Sequence, residues 1–328
     1  MSLFTGCEWK IDVRPGGKVS VNPSAIRSSH SGTFADKRHA ASYPSLMRFF
    51  ILGNGSKPFV AESAERLAAS IVSAGGEVAV LDLARQADLS SVEADVALVL
   101  GGDGAILRTA RQMAFKQVPV LGVNLGRLGF LADLTLDEAI EYLPSVLHRQ
   151  FQLAEHVMFT CSVDNDGKTK EILGLNEVVV RAGPPFKMLD LELAIDGDVV
   201  ARFLGDGMIV STPVGSTAHS LSAGGPVLGQ ELSAFVITPI CGHTLTSRPL
   251  VDSADKTYTI RVRQDEGAWL VVDGQDCGPL QPGDRVTVRR APVAFRLVKV
   301  PGKTYYQTLR EKLRWGTPPH YRNELELS

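Results

Sequence analysis

The sequence predicts an α/β protein with two folded parts: an N-terminal, Rossmann-like layered domain and a C-terminal, β-rich domain of sandwich-like type. Two observations predict the first part. Residues 48–148 alternate short apolar runs with stretches of helical periodicity. The run VALVL at 96–100 is apolar throughout, as a parallel strand covered on both faces requires. A third observation predicts the second part, because short runs separated by turn signals replace this pattern after about residue 150.

Strands and helices are expected to alternate in the N-terminal part. The first helix should bury one face of residues at helical spacing, and a glycine pair should end it. Thr135 and Glu138 form a capping box before another helix, which should end near Leu147. The expected strands are 49–52, 78–81, 96–100 and 118–123, and the residues that define the first helix are Ala64, Leu67, Ala68, Ile71 and Val72, followed by Gly75-Gly76.

The C-terminal part is expected to consist of short strands joined by tight turns. Asn165-Asp166-Gly167 and Asp196-Gly197-Asp198 are signals of two-residue hairpin turns. The stretch 305–315 should be helical, with Leu309 and Leu313 one turn apart. The expected strands are 151–159, 171–181, 189–195, 258–262, 269–272 and 285–288.

These patterns divide the chain into the segments 1–47, 48–148, 149–300 and 301–328. The last of these is expected to be a helix and tail that pack back on the N-terminal domain. Residues 1–47 carry Ser, Gly, Pro and His without sustained periodicity, so we expect disorder there. Two alternatives stay open: a basic targeting or interaction tail, and a stretch absent from the natural protein, whose start would then be Met47.

Composition excludes several classes of protein. Hydrophobic residues make up 44% of the 328 residues and charged residues 21%, which excludes disorder as the dominant state. The net charge of −2 predicts no attraction to nucleic acid or to an anionic membrane. No apolar run of about 18 residues is present. Cys7, Cys161, Cys241 and Cys277 form no CxxC pair, so we expect reduced thiols in a cytoplasmic protein.

The first candidate for chemistry is Gly101-Gly102-Asp103-Gly104, between a buried strand and a helix. Glycine lets the backbone approach a ligand closely, and N–H groups at a helix N-terminus bind phosphate. A carboxylate repels phosphate, so Asp103 should instead accept a proton from, or orient, a hydroxyl beside a phosphoryl group. The segment matches neither a P-loop nor the dinucleotide fingerprint. A strand-to-helix turn capped by an aspartate is the alternative.

Three further segments carry polar residues where a ligand could bind. The loop 124–131 follows the fourth strand and should share the carboxyl edge of the sheet with residues 101–104. Asn176 and Glu177 interrupt an apolar stretch, need partners if buried, and could bind the two hydroxyls of a ribose. The segment 206–226 resembles a polar, ligand-lining loop that enters a helix. Alternatively, 124–131 is a plain strand-to-helix connection, Asn176 and Glu177 lie at a strand end or edge, and 206–226 is a surface loop.

Together these segments resemble the NAD kinase family from about residue 48 to residue 316. GGDG also occurs in lipid kinases of the same superfamily, whereas the STPVGSTA segment favours the NAD kinases over them. The motifs, in order, are GGDG at 101–104, NLGRLGFLAD at 124–133, LNEVVV at 175–180, DGMIVSTPVGSTAHSLSAGGP at 206–226, TPICGHTLTSRPLV at 238–251, DGQ at 273–275 and YYQTLREKLRWG at 305–316.

The resemblance implies an enzyme that phosphorylates the 2′-hydroxyl of the adenosine ribose of NAD, giving NADP. ATP, or in some members another nucleotide or polyphosphate, would be the donor. A divalent metal, Mg or Mn, would be required. The site would lie between the α/β domain and the β-rich domain. The resemblance also suggests a homodimer or homotetramer, with the site partly built across subunits.

The resemblance further implies roles for individual residues. Asp103 matches the proton acceptor for the 2′-hydroxyl. Asn176 and Glu177 match the pair that binds the dinucleotide, and Asp206 matches an aspartate at its nicotinamide end. The other matches are Gly104 beside the ligand, Arg108 and Lys187 as basic contacts, Phe130 near the adenine, the pocket-lining Thr217, Ala218, His219, Ser220, Leu221 and Ser222, and Gln275 as a polar contact.

Four positions depart from the family pattern: Ala105 replaces a common Thr or Asn, Leu204 replaces Arg, His219 replaces Tyr and Gly242 replaces Pro. Ala105 removes a hydroxyl that could touch donor phosphate, so the donor stays open. Leu204 removes a charged contact, for which Arg202 or Lys187 is a possible substitute. His219 keeps a flat ring but can titrate, so NAD binding is expected to change with pH.

Two other functions remain open from the sequence. One is a lipid or sugar kinase of the same superfamily, which the STPVGSTA segment disfavours. The other is a protein that binds NAD without catalysis, which Ala105 and Leu204 suggest.

Overall fold

The computed structural model describes residues 46–316, apart from 127, 128, 133, 166, 167, 244, 245 and 264–266. The expectations for residues 1–45 and for the tail after residue 316 therefore lie outside the described residues. The division of the chain into domains stays a prediction.

The N-terminal part alternates strands and helices, as expected. Strands β1, β2, β3 and β4 pair in parallel in the order β2-β1-β3-β4. The residues of β1, β3 and β4 are almost all buried, because helices cover both faces of the sheet, whereas those of edge strand β2 are mostly half-buried. The elements are β1 (Arg48–Leu52), α1 (Val60–Ser73), β2 (Glu77–Asp82), β3 (Val96–Leu100), α2 (Asp103–Gln112), β4 (Val120–Val123) and α3 (Leu136–Leu147).

The helix signals in this part are mostly confirmed. Thr135 accepts the N–H of Glu138, and Glu138 accepts the N–H of Thr135, so the capping box is present. Gly75, with φ 88°, follows the end of α1. The expected apolar face is wrong at one residue, since Val72 is 56% exposed while Ile71 is buried. Val72 lies one residue beyond Ile71, about 100° further around the helix, which turns it away from the sheet.

The C-terminal part contains mostly antiparallel strands, two short helical segments and a final helix of nine residues. The larger sheet continues from β4 through β16, β13 and β8 to β9, with β5 and β6 branching from β16; the smaller sheet has the order β12-β11-β10-β7-β14-β15. The elements are β5 (Gln152–Asn165), β6 (Lys168–Gly174), β7 (Glu177–Ala182), β8 (Leu189–Ile195), β9 (Asp198–Gly205), β10 (Gly207–Ser211), a 3₁₀ turn (Gly215–Thr217), α4 (His219–Ser222), β11 (Ala234–Ile240), β12 (Leu250–Ser253), β13 (Tyr258–Val262), β14 (Ala268–Val272), β15 (Gln275–Leu280), β16 (Arg285–Lys299) and α5 (Tyr305–Leu313).

The two sheets pack face to face over one apolar core. The larger sheet contributes Phe159, Leu191 and Tyr258, and the smaller sheet contributes Val180 and Phe235. The rings of Phe235 and Tyr258 meet edge to face, with centroids 5.7 Å apart. This interdigitated core is typical of a sandwich, so the expected fold class is confirmed.

One expected strand is two strands in the structure. The stretch 171–181 is divided into β6 and β7 by Leu175 and Asn176, because the N–H groups of these two residues and of Glu177 bond to a side chain, that of Asp273.

Another expected strand is longer in the structure. The strand expected at 285–288 continues to Lys299, and the pairing register with β5 shifts between Arg290 and Ala294. Pro292 lies within this irregularity, and it interrupts the alternation on which the sequence argument depended.

Turn signals located the hairpins correctly. Asp196 (φ 50°) and Gly197 (φ 93°) both take the left-handed conformation between paired Ile195 and Asp198, as a type I′ turn requires. Asn165 pairs with Lys168 across the other expected hairpin, whose turn residues lie outside the described ones.

The last helix is shorter than expected. It ends at Leu313 rather than at residue 315, because Arg314 takes the left-handed conformation (φ 53°). Leu309 is buried while Leu313 is exposed, so the two do not form one buried face.

Candidate active site

The loop after β3 forms the N-terminus of α2. Gly101 has φ 143°, a conformation that favours glycine, and its N–H donates to the carbonyl of Val123. Gly102 is the extended N-cap, and Asp103 is the first residue of the helix. Gly104 is exposed, and no atom lies within 4 Å of the position that a Cβ would take there. The first turn of α2 is therefore open to a ligand.

The carboxylate of Asp103 is held by the loop that follows β4. Oδ2 accepts the N–H of Phe130 and Oδ1 accepts the N–H of Leu131, both at 2.9 Å. A Cβ on Gly129 would overlap Oδ1, so glycine makes this close approach possible. The first and third candidate segments thus meet at one sheet edge, as the sequence predicts.

The C-terminal helix packs against the same corner. Nζ of Lys312 on α5 lies 3.4 Å from Oδ2 of Asp103 and 4.2 Å from the ring centroid of Phe130. The rings of Phe130 and Tyr305 have centroids 6.2 Å apart. Phe130, matched to the adenine contact, is therefore packed beneath α5.

Asn176 and Glu177 are positioned by Asp273. The three successive N–H groups of Leu175, Asn176 and Glu177 donate to its carboxylate at 2.8, 2.8 and 3.0 Å. Asp273 and Gly274, with φ 46° and 72°, form the turn between β14 and β15. Asp273 thereby fixes where β7 begins.

The charges at this corner are buried. Burial and, to a smaller extent, the charge of the neighbouring Asp273 together raise the pKa of Glu177 to about 8. Burial also raises the pKa of Asp273, while its three N–H donors and Arg111 act in the opposite direction. Nη1 of Arg111 on α2 lies 3.9 Å from Oδ2 of Asp273 and donates to its carbonyl at 3.4 Å.

Two acceptor atoms at this corner lack a partner. Oδ1 of Asn176 and Oε2 of Glu177 are buried and have no hydrogen-bond partner among the described residues. Buried oxygens of this kind are costly unless a ligand or water satisfies them. This is the property expected of residues that receive hydroxyl groups.

The segment 211–226 packs against Asn176. Oγ of Ser211 donates to the carbonyl of Asn176 at 3.3 Å, and Oγ1 of Thr212 donates to the carbonyl of Leu175 at 2.6 Å. A Cβ on Gly215 would overlap the carbonyl oxygen of Asn176. These hydroxyls therefore hold the loop against the start of β7.

Residues 217–222, in the middle of this segment, are those matched to the adenine and ribose pocket. Oγ of Ser220 is buried and bonded to Oγ1 of Thr238 at 2.9 Å, so this hydroxyl is already used within the protein. Thr217, Ala218 and Leu221 are half-buried, while His219 and Ser222 are exposed on α4. The loop enters a helix as expected, although α4 has only four residues.

Lys187 and Asp206 lie towards the other end of β7. Asp206 stands between β9 and β10, and its carbonyl accepts the N–H of Ala182, the last residue of β7. Its hydrogen bond with the Cys241 thiol raises the pKa of that thiol. Lys187 is exposed in the loop between β7 and β8. Five residues of strand, roughly 16 Å, separate Glu177 from Ala182.

Arg108 lies on the same helix as Arg111, and Gln275 follows the turn that contains Asp273. Arg108 is half-buried on α2, and burial followed by the charges of Arg85 and Arg111 lowers its pKa. Gln275 is exposed at the start of β15, two residues after Asp273. Elsewhere, Arg202, one of the two possible substitutes for the charge missing at Leu204, donates a hydrogen bond to Asp190 at 2.8 Å.

The sequence argument assigned no role to Asp273, Arg111, Gly129 or Lys312. Asp273-Gly274 stood in a quoted motif and is a hairpin-turn signal between two strands, which could have marked the turn. Nothing in the sequence pairs Asp273 with residues almost a hundred positions earlier. Arg111 lies three residues after Arg108, so the two side chains share one face of α2. This spacing was the only feature of the sequence that could have indicated a role for Arg111.

Among the described residues, no group of three or more His, Cys, Asp or Glu side chains could hold a metal ion. Cys161, Cys241 and Cys277 form no disulfide bond, and Cys7 lies outside the described part. No helix in the described ranges is long and apolar enough to cross a membrane.

Comparison with known proteins agrees with this geometry. The family profile of the ATP-NAD kinase N-terminal domain matches residues 88–151, and that of the C-terminal domain matches residues 175–300. An NAD kinase of Rhodopirellula baltica is 46% identical over 271 residues, which are 82% of this chain and 87% of that protein. An NAD kinase of Geobacter sulfurreducens is 45% identical over 229 residues, 69% of this chain and 80% of that protein.

Two solved structures share the fold. A yeast NADH kinase complexed with NADH has a TM-score of 0.77 at 22% identity and covers 84% of this chain and 89% of its own. An NAD kinase from Archaeoglobus fulgidus in complex with ATP has a TM-score of 0.68 at 26% identity and covers 82% of this chain and 99% of its own.

The glycine-rich turn with its anchored aspartate, set against a sandwich of antiparallel strands, defines a nucleotide-dependent kinase. The chain belongs to the NAD kinase family.

Proposed function

We propose that this chain transfers the terminal phosphoryl group of ATP to the 2′-hydroxyl of the adenosine ribose of NAD, giving NADP and ADP. Family membership supports the reaction. The observation that carries the assignment of residues is the anchored carboxylate of Asp103 at the open first turn of α2.

In this reaction, Asp103 accepts the proton of the 2′-hydroxyl. The hydroxyl oxygen forms a bond to the γ-phosphorus while the bond from that phosphorus to the β–γ bridging oxygen breaks. ADP leaves with the electron pair of the broken bond. The main contributions of the protein are then position and charge, as is typical of phosphoryl transfer.

Asn176 and Glu177 are proposed to hold the ribose hydroxyls of NAD. Their unpartnered oxygens are buried and fixed to the main chain that Asp273 positions. With its pKa raised to about 8, Glu177 is mostly protonated at neutral pH and can both donate and accept a hydrogen bond. A neutral side chain also avoids repelling the pyrophosphate of the dinucleotide.

The remaining residues are proposed to bind the two ends of the dinucleotide. Phe130 and the segment 217–222 would line the adenine and ribose, with Gly104 beside the phosphoryl group. Asp206 and Lys187, towards the other end of β7, would contact the nicotinamide half. Arg108, on the same helix as Arg111, would supply a charged contact, and Gln275, two residues after Asp273, would supply a polar contact.

A divalent metal, Mg or Mn, is proposed to bind mainly through the donor phosphates. Mg²⁺ commonly keeps several waters and takes only one or two carboxylates from a protein. The carboxylate of Asp103 already accepts two N–H groups and pairs with Lys312, so the phosphates and water would supply the metal's ligands. When bound, the metal neutralises charge on the phosphates.

The protein is further proposed to be a cytoplasmic homodimer or homotetramer. Edge strand β9 exposes Val199, Val200 and Leu204, and edge strand β12 exposes Leu250 and Val251. Exposed apolar edges of this kind are suited to contact with another subunit. Light scattering coupled to gel filtration measures the state directly.

The decisive test is NADP formation by the purified protein with NAD, Mg²⁺ and ATP, with polyphosphate as a parallel donor. Asp103→Asn should lower kcat by about 10² to 10⁴-fold and leave the affinity for NAD nearly unchanged. Near-normal turnover by the variant would overturn the role of Asp103. NAD binding without NADP formation by the wild type would instead support a protein that only binds NAD.

A further inference from the structure

Lys312 occupies a position that the reaction outlined above does not explain. Its ammonium lies 3.4 Å from Oδ2 of Asp103 and 4.2 Å from the ring centroid of Phe130. The same carboxylate already accepts the N–H groups of Phe130 and Leu131. A cation is therefore held directly at the carboxylate proposed to accept the proton.

The helix that carries Lys312 is fixed at its other end. The hydroxyl of Tyr305 donates to the carbonyl of Leu228 at 3.0 Å, and Thr304 and Gln307 form a capping box. Tyr305 also packs on Phe130. Residues from the α/β half and from the segment 211–228 thus both hold α5, so Lys312 is delivered to Asp103 by an anchored helix.

The ion pair itself contributes little to stability. The side chain of Lys312 is 33% exposed and that of Asp103 is 28% exposed, and an ion pair at that exposure is weak because water screens its charges. A small stabilisation means that a more highly charged partner can take the ammonium away from Asp103. The terminal phosphate of a nucleoside triphosphate is such a partner, and the first turn of α2 is open beside it.

We infer that Lys312 binds the phosphoryl group that is transferred from the donor. In the free protein its ammonium pairs with Asp103. When the donor binds, Lys312 bonds to the terminal phosphate and leaves Oδ2 of Asp103 to the substrate hydroxyl. The ammonium then offsets the charge that spreads over the phosphoryl oxygens during transfer. This inference rests on the proposed function, because it requires Asp103 at the reacting hydroxyl.

The substitution Lys312→Met tests the inference in the full-length protein. It keeps most of the apolar stem and removes the charge. We expect the affinity for ATP, measured by calorimetry without NAD, to fall at least tenfold, and kcat for NADP formation to fall at least tenfold. The affinity for NAD should stay within threefold, and Lys312→Arg should recover part of the lost ATP affinity. Arg310→Met, which removes one exposed positive charge from the same helix, is the matched control and should behave as the wild type.

Two results would overturn the inference. One is ATP affinity and kcat in Lys312→Met within twofold of the wild type. The other is a loss of kcat with unchanged ATP affinity, which would mean that Lys312 acts only through Asp103. A melting temperature for each variant checks folding, and Lys312→Gln repeats the test if the methionine variant is unfolded. The proposed function fails separately, by active Asp103→Asn or an inactive wild type, so the two failures are distinguishable.

Discussion

Asp273 and Glu177 form two reciprocal hydrogen bonds, each donated by a main-chain N–H group. The N–H of Glu177 donates to the Asp273 carboxylate at 3.0 Å, and the N–H of Asp273 donates to the Glu177 carbonyl at 3.0 Å. Two strands that are adjacent in the smaller sheet, β7 and β14, are thereby locked at one end. Arg111, from the helix that begins with Asp103, touches the same carboxylate. Asp103, the proposed proton acceptor, and the proposed ribose-binding pair are thus connected through one buried ion pair.

Asp273→Asn should weaken NAD binding without abolishing the chemical step. An amide offers one acceptor oxygen where three N–H groups now share two, and its NH₂ group would face donors. We expect KM for NAD to rise at least tenfold, kcat at saturating NAD to stay within about fivefold, and the free energy of unfolding to fall by about 3 kcal/mol.

Steady-state kinetics and urea unfolding measure these quantities. Asp164→Asn, on the exposed face of β5, is the control for replacing an aspartate on a strand. An Asp273→Asn enzyme with wild-type KM for NAD would mean that this carboxylate does not position Asn176 and Glu177.

Gly129→Ala should displace the carboxylate of Asp103. The added Cβ would overlap Oδ1, which is held by the N–H of Leu131. Misplacing a reacting group by about 1 Å can cost on the order of 100-fold in rate, so we expect kcat to fall 10- to 100-fold with little change in KM for NAD.

The same loop provides a matched control for this prediction. Gly126 has no atom within 4 Å of where a Cβ would lie, so Gly126→Ala should keep wild-type kcat. Equal kcat values for the two alanine variants would show that Gly129 does not make room for Asp103.

The sequence was sufficient for elements whose apolar pattern is local. Strands β3, β8 and β13 match their expected limits residue for residue, because each has a continuous or strictly alternating apolar pattern. The glycine-rich turn and the loop after β4 also met at one sheet edge as expected, since parallel strands bring their carboxyl ends together.

What the sequence could not supply depends on distant partners. The break between β6 and β7 is caused by Asp273, nearly a hundred residues later in the chain. Lys312 is 209 positions from Asp103, and its contact follows from the docking of α5. Periodicity describes a residue's own element, whereas these contacts depend on how separate elements pack. The roles of all the candidate site residues remain predictions, and those of Lys187, Asp206 and Gln275 are based on the resemblance alone.

The last prediction concerns pH and Glu177. Its folded-state pKa of about 8 lies above the ordinary value of 4.5, so the folded protein holds a proton that the unfolded chain releases between these values. The contribution of Glu177 to the free energy of unfolding should therefore be fully present below about pH 4.5, fall as pH rises from there to about 8, and level off above that range.

The Gln side chain of Glu177→Gln cannot ionise, so the free energy of unfolding of the variant should lack this pH dependence. Between pH 5 and pH 8.5 the variant should therefore gain stability relative to the wild type, on the order of a few kcal/mol. Chemical unfolding at pH 5 and at pH 8.5 measures the difference. Glu65→Gln, at an exposed position on α1, is the control. If Glu177→Gln and the wild type changed in parallel with pH, the Glu177 carboxyl would not be held neutral by burial.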